Sequence, residues 1–181
     1  MEAIIKARFE DGTNAPLSWS PTKGGQRAFI CFDDHLVEDI GPDSDGSRFI
    51  AISKKMMAGD YYPPDAVQFY GLYQDEQRNV QVGERIQQRA PIFAGLYACS
   101  MVEIYVADQT ENHCQIGYVT TEKHHGRGIW TATLNRVDGK LKLTVESTAS
   151  PHSFLFWVGL PVARYLQLRA RRRAIEEFKK L

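Results

Sequence analysis

SPHSFLFWVGLPVARYLQLRARRRAIEEF, residues 150–178, opens almost free of charge and closes in a cluster of arginines. A membrane span needs roughly 20 consecutive apolar residues. Here the apolar run ends after about half that length, with Gly159 and Pro161 inside it. Beyond the interruption, Leu160, Ala163, Leu166, Ala170, Ala174, Phe178 and Leu181 recur at helical spacing, and Arg164, Arg169, Arg172 and Lys179 fall off that stripe. The pattern predicts a long amphipathic helix that closes a globular fold. Ser150-Pro151 carries a helix-start signal, a capping side chain followed by proline. The basic residues of the tail, Arg171 to Arg173 among them, suit the end of a helix, where cations complement the macrodipole and solvate the exposed face.

What this helix covers can be read from the residues just before it. Asp138-Gly139 has the chemistry of a two-residue hairpin turn, and such a turn fixes register. Val137 then pairs with Lys140, and one face carries Leu134 with Leu143, Ala132 with Val145 and Trp130 with Ser147. The other face carries Asn135 with Lys142, Thr133 with Thr144 and Thr131 with Glu146. Apolar and polar sets separate cleanly, so one face of this hairpin meets a core. CQIGYVTTE supplies the strand before it.

Further upstream, CSMVEIYVA, VQVGERIQQRA and DAVQFYGLY read as strands, with PIFAGLY as a helical turn or bulged link. DSDGSRFIAISKKMMAG carries helix signals, with Phe49, Ile52 and Met56 at helical spacing, and predicts a helix from about Ser47 to Ala58. AFICF reads as a short strand and MEAIIKARFEDG as a strand rather than a secretory signal. Residues 11–26, rich in Gly, Pro, Ser and Thr, predict a long, mobile surface connection. The order of elements predicts an α+β fold, a curved antiparallel sheet wrapped around a long C-terminal helix.

The 181 residues suit one domain spanning 1–181, with N-terminal strands and a long loop over 1–34. The 22 basic and 22 acidic residues cancel, so global charge favours neither nucleic acid nor an anionic surface. Three cysteines, Cys31, Cys99 and Cys114, have no CxxC spacing and predict a reducing, cytoplasmic location.

Chemistry-bearing residues are sparse. His113, Cys114, His124 and His125 could ligate zinc in principle, but adjacent histidines in a strand or turn point apart and no third ligand is suitably spaced. Asp33-Asp34 beside His35 is an acid/base candidate that reads equally as a solvated turn. Nucleophile-elbow, dinucleotide and Walker patterns do not occur, and no cofactor is expected. The aromatics say more. Phe69, Tyr118, Trp130 and Trp157 come from separate predicted elements on or near the face that the long helix would cover, where they either fill a core or line a cavity.

Pro151 and Pro161, ten residues apart, with Pro161, Arg164 and Gln167 forming Pro-x-x-Arg-x-x-Gln, resemble the closing segment of the domain of unknown function numbered nineteen-ninety. Gly117-Tyr118 and His125 resemble that family's Gly-Phe strand and the turn after it, and the similarity spans residues 35–178. The sequence departs where the family has Gly-Glu-Glu and this chain has Gly128-Ile129-Trp130, and where Ser-x-Pro is shifted into Ala149-Ser150-Pro151. The resemblance implies the helix-grip fold of START lipid-transfer domains and the birch-pollen allergen group. It carries no established activity.

The expectation is therefore a protein that binds a small hydrophobic molecule between sheet and helix, with Phe69, Tyr118, Trp130 and Trp157 as apolar contacts. Arg164 would orient an acidic head group or pair with a carboxylate such as Glu146. A cyclase- or hydrolase-type enzyme using His125 in the same cavity, and an interaction module working through the basic helix, are the alternatives.

Overall fold

The computed structural model describes residues 9–20, 31–93, 96–151 and 158–181. Seven strands form one antiparallel sheet: β1 (Phe32–Pro42), β2 (Gln68–Tyr70), β3 (Arg85–Phe93), β4 (Leu96–Gln109), β5 (His113–Thr120), β6 (Gly126–Val137) and β7 (Lys140–Pro151). Their order across the sheet is β1-β7-β6-β5-β4-β3-β2, a meander whose last strand takes the first as its outer neighbour. Among the described residues, two longer helices accompany the curved sheet, α1 (Ser47–Met57) and α3 (Leu160–Lys180), with a single turn, α2 (Leu72–Asp75), between them. This is the expected helix-grip architecture.

The β6–β7 hairpin has the register that its turn chemistry demands, from Val137 opposite Lys140 to Trp130 opposite Ser147. Asp138 and Gly139 both adopt positive φ, 51° and 68°, the backbone of a type I′ turn whose twist matches the flanking strands. The ladder continues past the expected helix start. Ser150 pairs with Arg127 and Pro151 with Gly126, so strand pairing overrides the local capping signal. Helix α3 itself follows Gly159, with proline in its first turn, and residues 152–157 between it and the strand lie outside the described residues.

Helix α1 spans the predicted residues and buries Phe49, Ile52 and Met56 in the core. Its cap is Asp43, the first residue of the stretch that carries the helix signals. Both oxygens of the buried Asp43 carboxylate accept backbone N–H groups, from Arg48 and Phe49, at 3.1 Å each. Helix α3 packs through Ala170, Ala174, Ile175 and Phe178, while Leu160, Ala163 and Leu166 are only half-buried. Leu181, placed on the apolar stripe by periodicity, lies beyond the helix and is exposed.

Other differences are local. The strand expected over DAVQFYGLY is only Gln68–Tyr70, because α2 follows at once. The Glu84 carboxylate organises that turn by accepting the Tyr73 and Gln81 N–H groups at 3.0 and 3.1 Å. The link between β3 and β4 is bulged, with a register shift between Pro91 and Phe93. Most of the strand expected at the N-terminus, and most of AFICF, lie outside the described residues. So does much of the connection expected over 11–26, but residues 9–12 form a helical turn, and Phe9, Ala15 and Trp19 are buried. The Ser18 N–H donates to the Thr120 carbonyl at 2.9 Å, which fastens this segment to β5.

Candidate functional site: a cavity beneath the first turns of the long helix

A row of paired residues crosses the inner face of the sheet: Asp34 on β1, Ser147 on β7, Trp130 on β6, Tyr118 on β5 and Ile104 on β4. Antiparallel pairing turns directly opposed side chains to the same face, so this row forms a floor. The second half of α3 lies on the core. Its first half, packed less tightly, roofs a cavity of about 240 Å3 lined by Tyr118, Trp130, Ala163, Leu166 and Ala170 among others. That volume is below the roughly 300–1,000 Å3 of drug-sized ligand pockets, so it suits a compact ligand.

Tyr118 and Trp130, two of the expected contacts, stack in the floor with ring centroids 5.1 Å apart and planes 18° apart. Trp130 is itself buried among aromatic edges, Tyr61 at 4.8 Å and Tyr62 at 5.9 Å. Burial pushes the Tyr118 phenol up from its ordinary value, opposed by a hydrogen bond with Gln88, which also lines the cavity. Tyr61 and Tyr62 are raised by burial as well, so all three stay protonated and neutral in the physiological range. Phe69 lies one ring further out. It stacks on Tyr62 at 5.9 Å and borders a neighbouring cleft of about 790 Å3, and Tyr62 and Val67 line both spaces. Trp157 lies outside the described residues.

Arg164 lines the cavity from α3, and its carboxylate partner is Asp34 rather than Glu146. Both guanidinium nitrogens donate to the two Asp34 oxygens in a bidentate pair, and the Gln167 Oε1 accepts from the same guanidinium at 2.9 Å. The three-residue spacing of Arg and Gln is thereby explained: it sets both on one helix face, where Gln braces the arginine aimed at β1. Asp34 is held below the usual carboxylate range by the Arg164 hydrogen bonds, and Arg164 is raised by the same contact. Glu146 instead meets the His35 ring, whose Nδ1 lies 3.1 Å from its Oε1.

The strand geometry of β1 separates the acid/base candidates. Asp33 accepts the Thr148 hydroxyl at 2.7 Å and His35 meets Glu146, whereas Asp34, between them in sequence, faces the cavity side. The histidine and cysteine candidates do not converge. His113 Nδ1 lies 2.8 Å from the Asn135 Oδ1, and Cys114 is buried, its thiol pushed up to about 11 by that burial. His124 and His125 both border the cavity. Among the described residues, no group of three or more His, Cys, Asp or Glu side chains is placed to hold a metal ion. No helix of the described residues is long and apolar enough to cross a membrane.

Sequence reasoning missed Tyr61 and Tyr62, which sit in the connection after α1 and supply rings to the cluster around Trp130. The signal available was the aromatic pair itself before Pro63-Pro64, in a stretch whose prolines mark it as loop. It singled out Asp34 as an acid/base candidate beside Asp33 and His35, but not as the partner of Arg164.

The family model described as Domain of unknown function (DUF1990) matches residues 35–177. No curated protein matches the chain. Solved structures similar in fold include the KanY protein, at 8% identity and TM-score 0.54, covering 84% of this chain and 97% of that one. Ara h 8.0201 is similar at 13% identity and TM-score 0.52, covering 83% and 97%. A point mutant of norcoclaurine synthase from Thalictrum flavum, in complex with a transition-state analogue, is similar at 9% identity and TM-score 0.51, covering 85% and 97%. At these identities the likeness is one of fold.

Proposed function

The chain belongs to the family described as Domain of unknown function (DUF1990), and we propose that it binds a small hydrophobic molecule between the inner face of its sheet and α3. The observation that carries this reading is the cavity of about 240 Å3 under the half-buried first turns of α3, floored by the Tyr118–Trp130 stack. A mainly apolar lining selects for apolar, shape-matched ligands, and polar side chains on its border such as Gln88, Ser100 and His125 can fix their orientation. Tyr118 and Trp130 are the proposed floor contacts, with Trp157 a further contact by its sequence position and Phe69 an outer one across Tyr62. The Arg164 charge is already matched by Asp34, so an acidic head group would have to compete with that carboxylate. Arg164 acts here as part of the wall that holds the roof down. The three free cysteines support a reducing, cytoplasmic setting.

Native mass spectrometry of the protein purified from its own host, followed by denaturation and analysis of the released small molecules, tests the reading. A stoichiometric apolar adduct names the ligand class. A clean apoprotein mass, together with no displacement of a fluorescent apolar dye by any hydrophobic compound, rejects it. One observation favours a second reading, a hydrolase- or cyclase-type activity: His125, a general acid/base by residue type, borders the same cavity.

A further inference from the structure

Helix α3 has a second face, opposite to the one it buries. Val158, just before the helix, and Val162 and Tyr165 within it are exposed at 62, 53 and 63%. The three-residue spacing of Val162 and Tyr165 continues, by four and then three, through Arg169 and Arg172, both exposed, so these four lie along one line of the helix, with Val158 ahead of it. Three other arginines of α3 are committed to the protein: Arg164 and Arg171 face Asp34, and Arg173 pairs with Asp65. Arg169 and Arg172 have no acidic partner among the described residues. The outer face thus presents Val162 and the amphipathic Tyr165, preceded by Val158, then the cations Arg169 and Arg172, of which Arg169 also borders the cavity, and one turn beyond them the exposed Glu176.

The β3–β4 hairpin brings a second apolar group to the same end of the molecule. Ile92, Leu96 and Tyr97 are exposed at 42, 58 and 40%, while Ala90, Pro91 and Ala98 of the same hairpin line the cavity together with Leu160 and Ala163 of α3. Hairpin end and helix start therefore flank one cavity.

We propose that this end of the molecule docks on an anionic lipid surface, with Val158, Val162 and Tyr165 entering the interface and Arg169 and Arg172 meeting lipid phosphates. The separation along the helix axis carries the assignment. At 1.5 Å rise per residue, the two arginines stand about 6 and 10 Å beyond Tyr165. A helix tilted start-first then seats its apolar residues at the acyl boundary and its cations at the headgroups. The inference rests on the cavity reading in one respect: a hydrophobic ligand partitions into bilayers, and docking there would set the cavity beside its source.

Co-sedimentation of the full chain with vesicles decides it. Phosphatidylcholine vesicles containing roughly one phosphatidylserine in four lipids should pellet the protein, pure phosphatidylcholine vesicles much less, and added salt should release it. Arg169→Gln and Arg172→Gln should each weaken partitioning about fivefold. The pair Val162→Ser and Tyr165→Ser should also weaken it while leaving circular dichroism and apolar-dye binding unchanged. Absence of pelleting with either vesicle, equal pelleting with both, or variants that pellet like the wild type would each overturn the proposal, as would loss of vesicle binding in favour of an acidic polypeptide. The two readings separate cleanly: dye binding without vesicle binding removes the docking alone, and vesicle binding without dye binding removes the cavity ligand alone.

Discussion

Asp34 on β1 and Arg164 on α3, 130 residues apart in the chain, form a bidentate pair that fastens the first turns of the long helix to the far edge of the sheet. Apolar burial begins in earnest only at Ala170, so this pair is a principal tie across the cavity. Replacing Arg164 with Gln should lower stability by about 2 kcal/mol, since it strands a largely buried carboxylate. It should also raise hydrogen exchange across 160–168. Urea unfolding and exchange mass spectrometry measure both effects. The double variant Asp34→Asn, Arg164→Gln should lose less than the sum of the single losses, as expected of directly coupled groups.

The same pair sets a pH dependence with a definite sign. Asp34 is depressed in the folded protein below its ordinary value of 3.8 by its bonds to Arg164. A carboxylate depressed on folding contributes stability that is fully present above its unfolded pKa and is lost as pH falls through the folded one. Wild-type melting temperature should therefore fall on acidification below about pH 4. The Asp34→Asn variant, less stable at neutral pH, should show a shallower fall. Parallel curves for the two proteins would remove Asp34 from the acid response.

Filling the cavity tests its use without removing a tie. Ala163 lines it and is half-buried, so Ala163→Phe places a ring in the space under the helix. Binding of an apolar dye should fall at least tenfold, or about 1.4 kcal/mol, if the ring takes the ligand's place. Melting temperature should change little, because the ring enters existing space rather than a packed core. Undiminished dye binding would put the dye elsewhere.

Much of this architecture was legible because several signals agreed. At Asp138-Gly139 turn chemistry and face segregation pointed to one register, and the structure has that register throughout β6 and β7. The floor residue Trp130 followed from it. The first strand was harder to see: Asp34 and Glu38 stand on the inner-facing positions and Asp33, His35 and Asp39 on the others, so charge on both faces hides the period of two. An edge strand tolerates this, since water reaches it. Ser150-Pro151 misled because a capping signal is local and worth about 1 kcal/mol, while continuing the ladder to Gly126 satisfies backbone groups along the whole strand end.

The cap of α1 offers a prediction at a position with no part in the cavity. Asp43 is buried, receives the Arg48 and Phe49 N–H groups, and has the Arg136 guanidinium 3.4 Å from its Oδ2. Asp43→Ala removes the cap, leaves two helix-end donors bare and unpairs part of Arg136. The expected loss is about 3 kcal/mol, above the roughly 0.5–2 kcal/mol usual for a capping residue, because burial excludes water as a substitute. Urea unfolding measures it, and apolar-dye binding below the transition should be unchanged.

Tyr61 predicts the opposite sign. Its ring is held by edge contacts to Trp130 at 4.8 Å and Phe178 at 5.3 Å, but its hydroxyl is buried without a hydrogen-bond partner. A buried, unpaired hydroxyl costs about 1–3 kcal/mol of desolvation that nothing returns. Tyr61→Phe keeps the ring contacts and deletes the hydroxyl, so stability should hold or rise by about 1 kcal/mol. The reverse outcome, a loss of similar size measured by thermal unfolding, would mean that the hydroxyl is satisfied in solution by a water or by the cavity's ligand. Repeating the measurement with apolar ligand bound then distinguishes the two: a hydroxyl that serves the ligand makes the variant's deficit grow on binding, and one that holds a water leaves it unchanged.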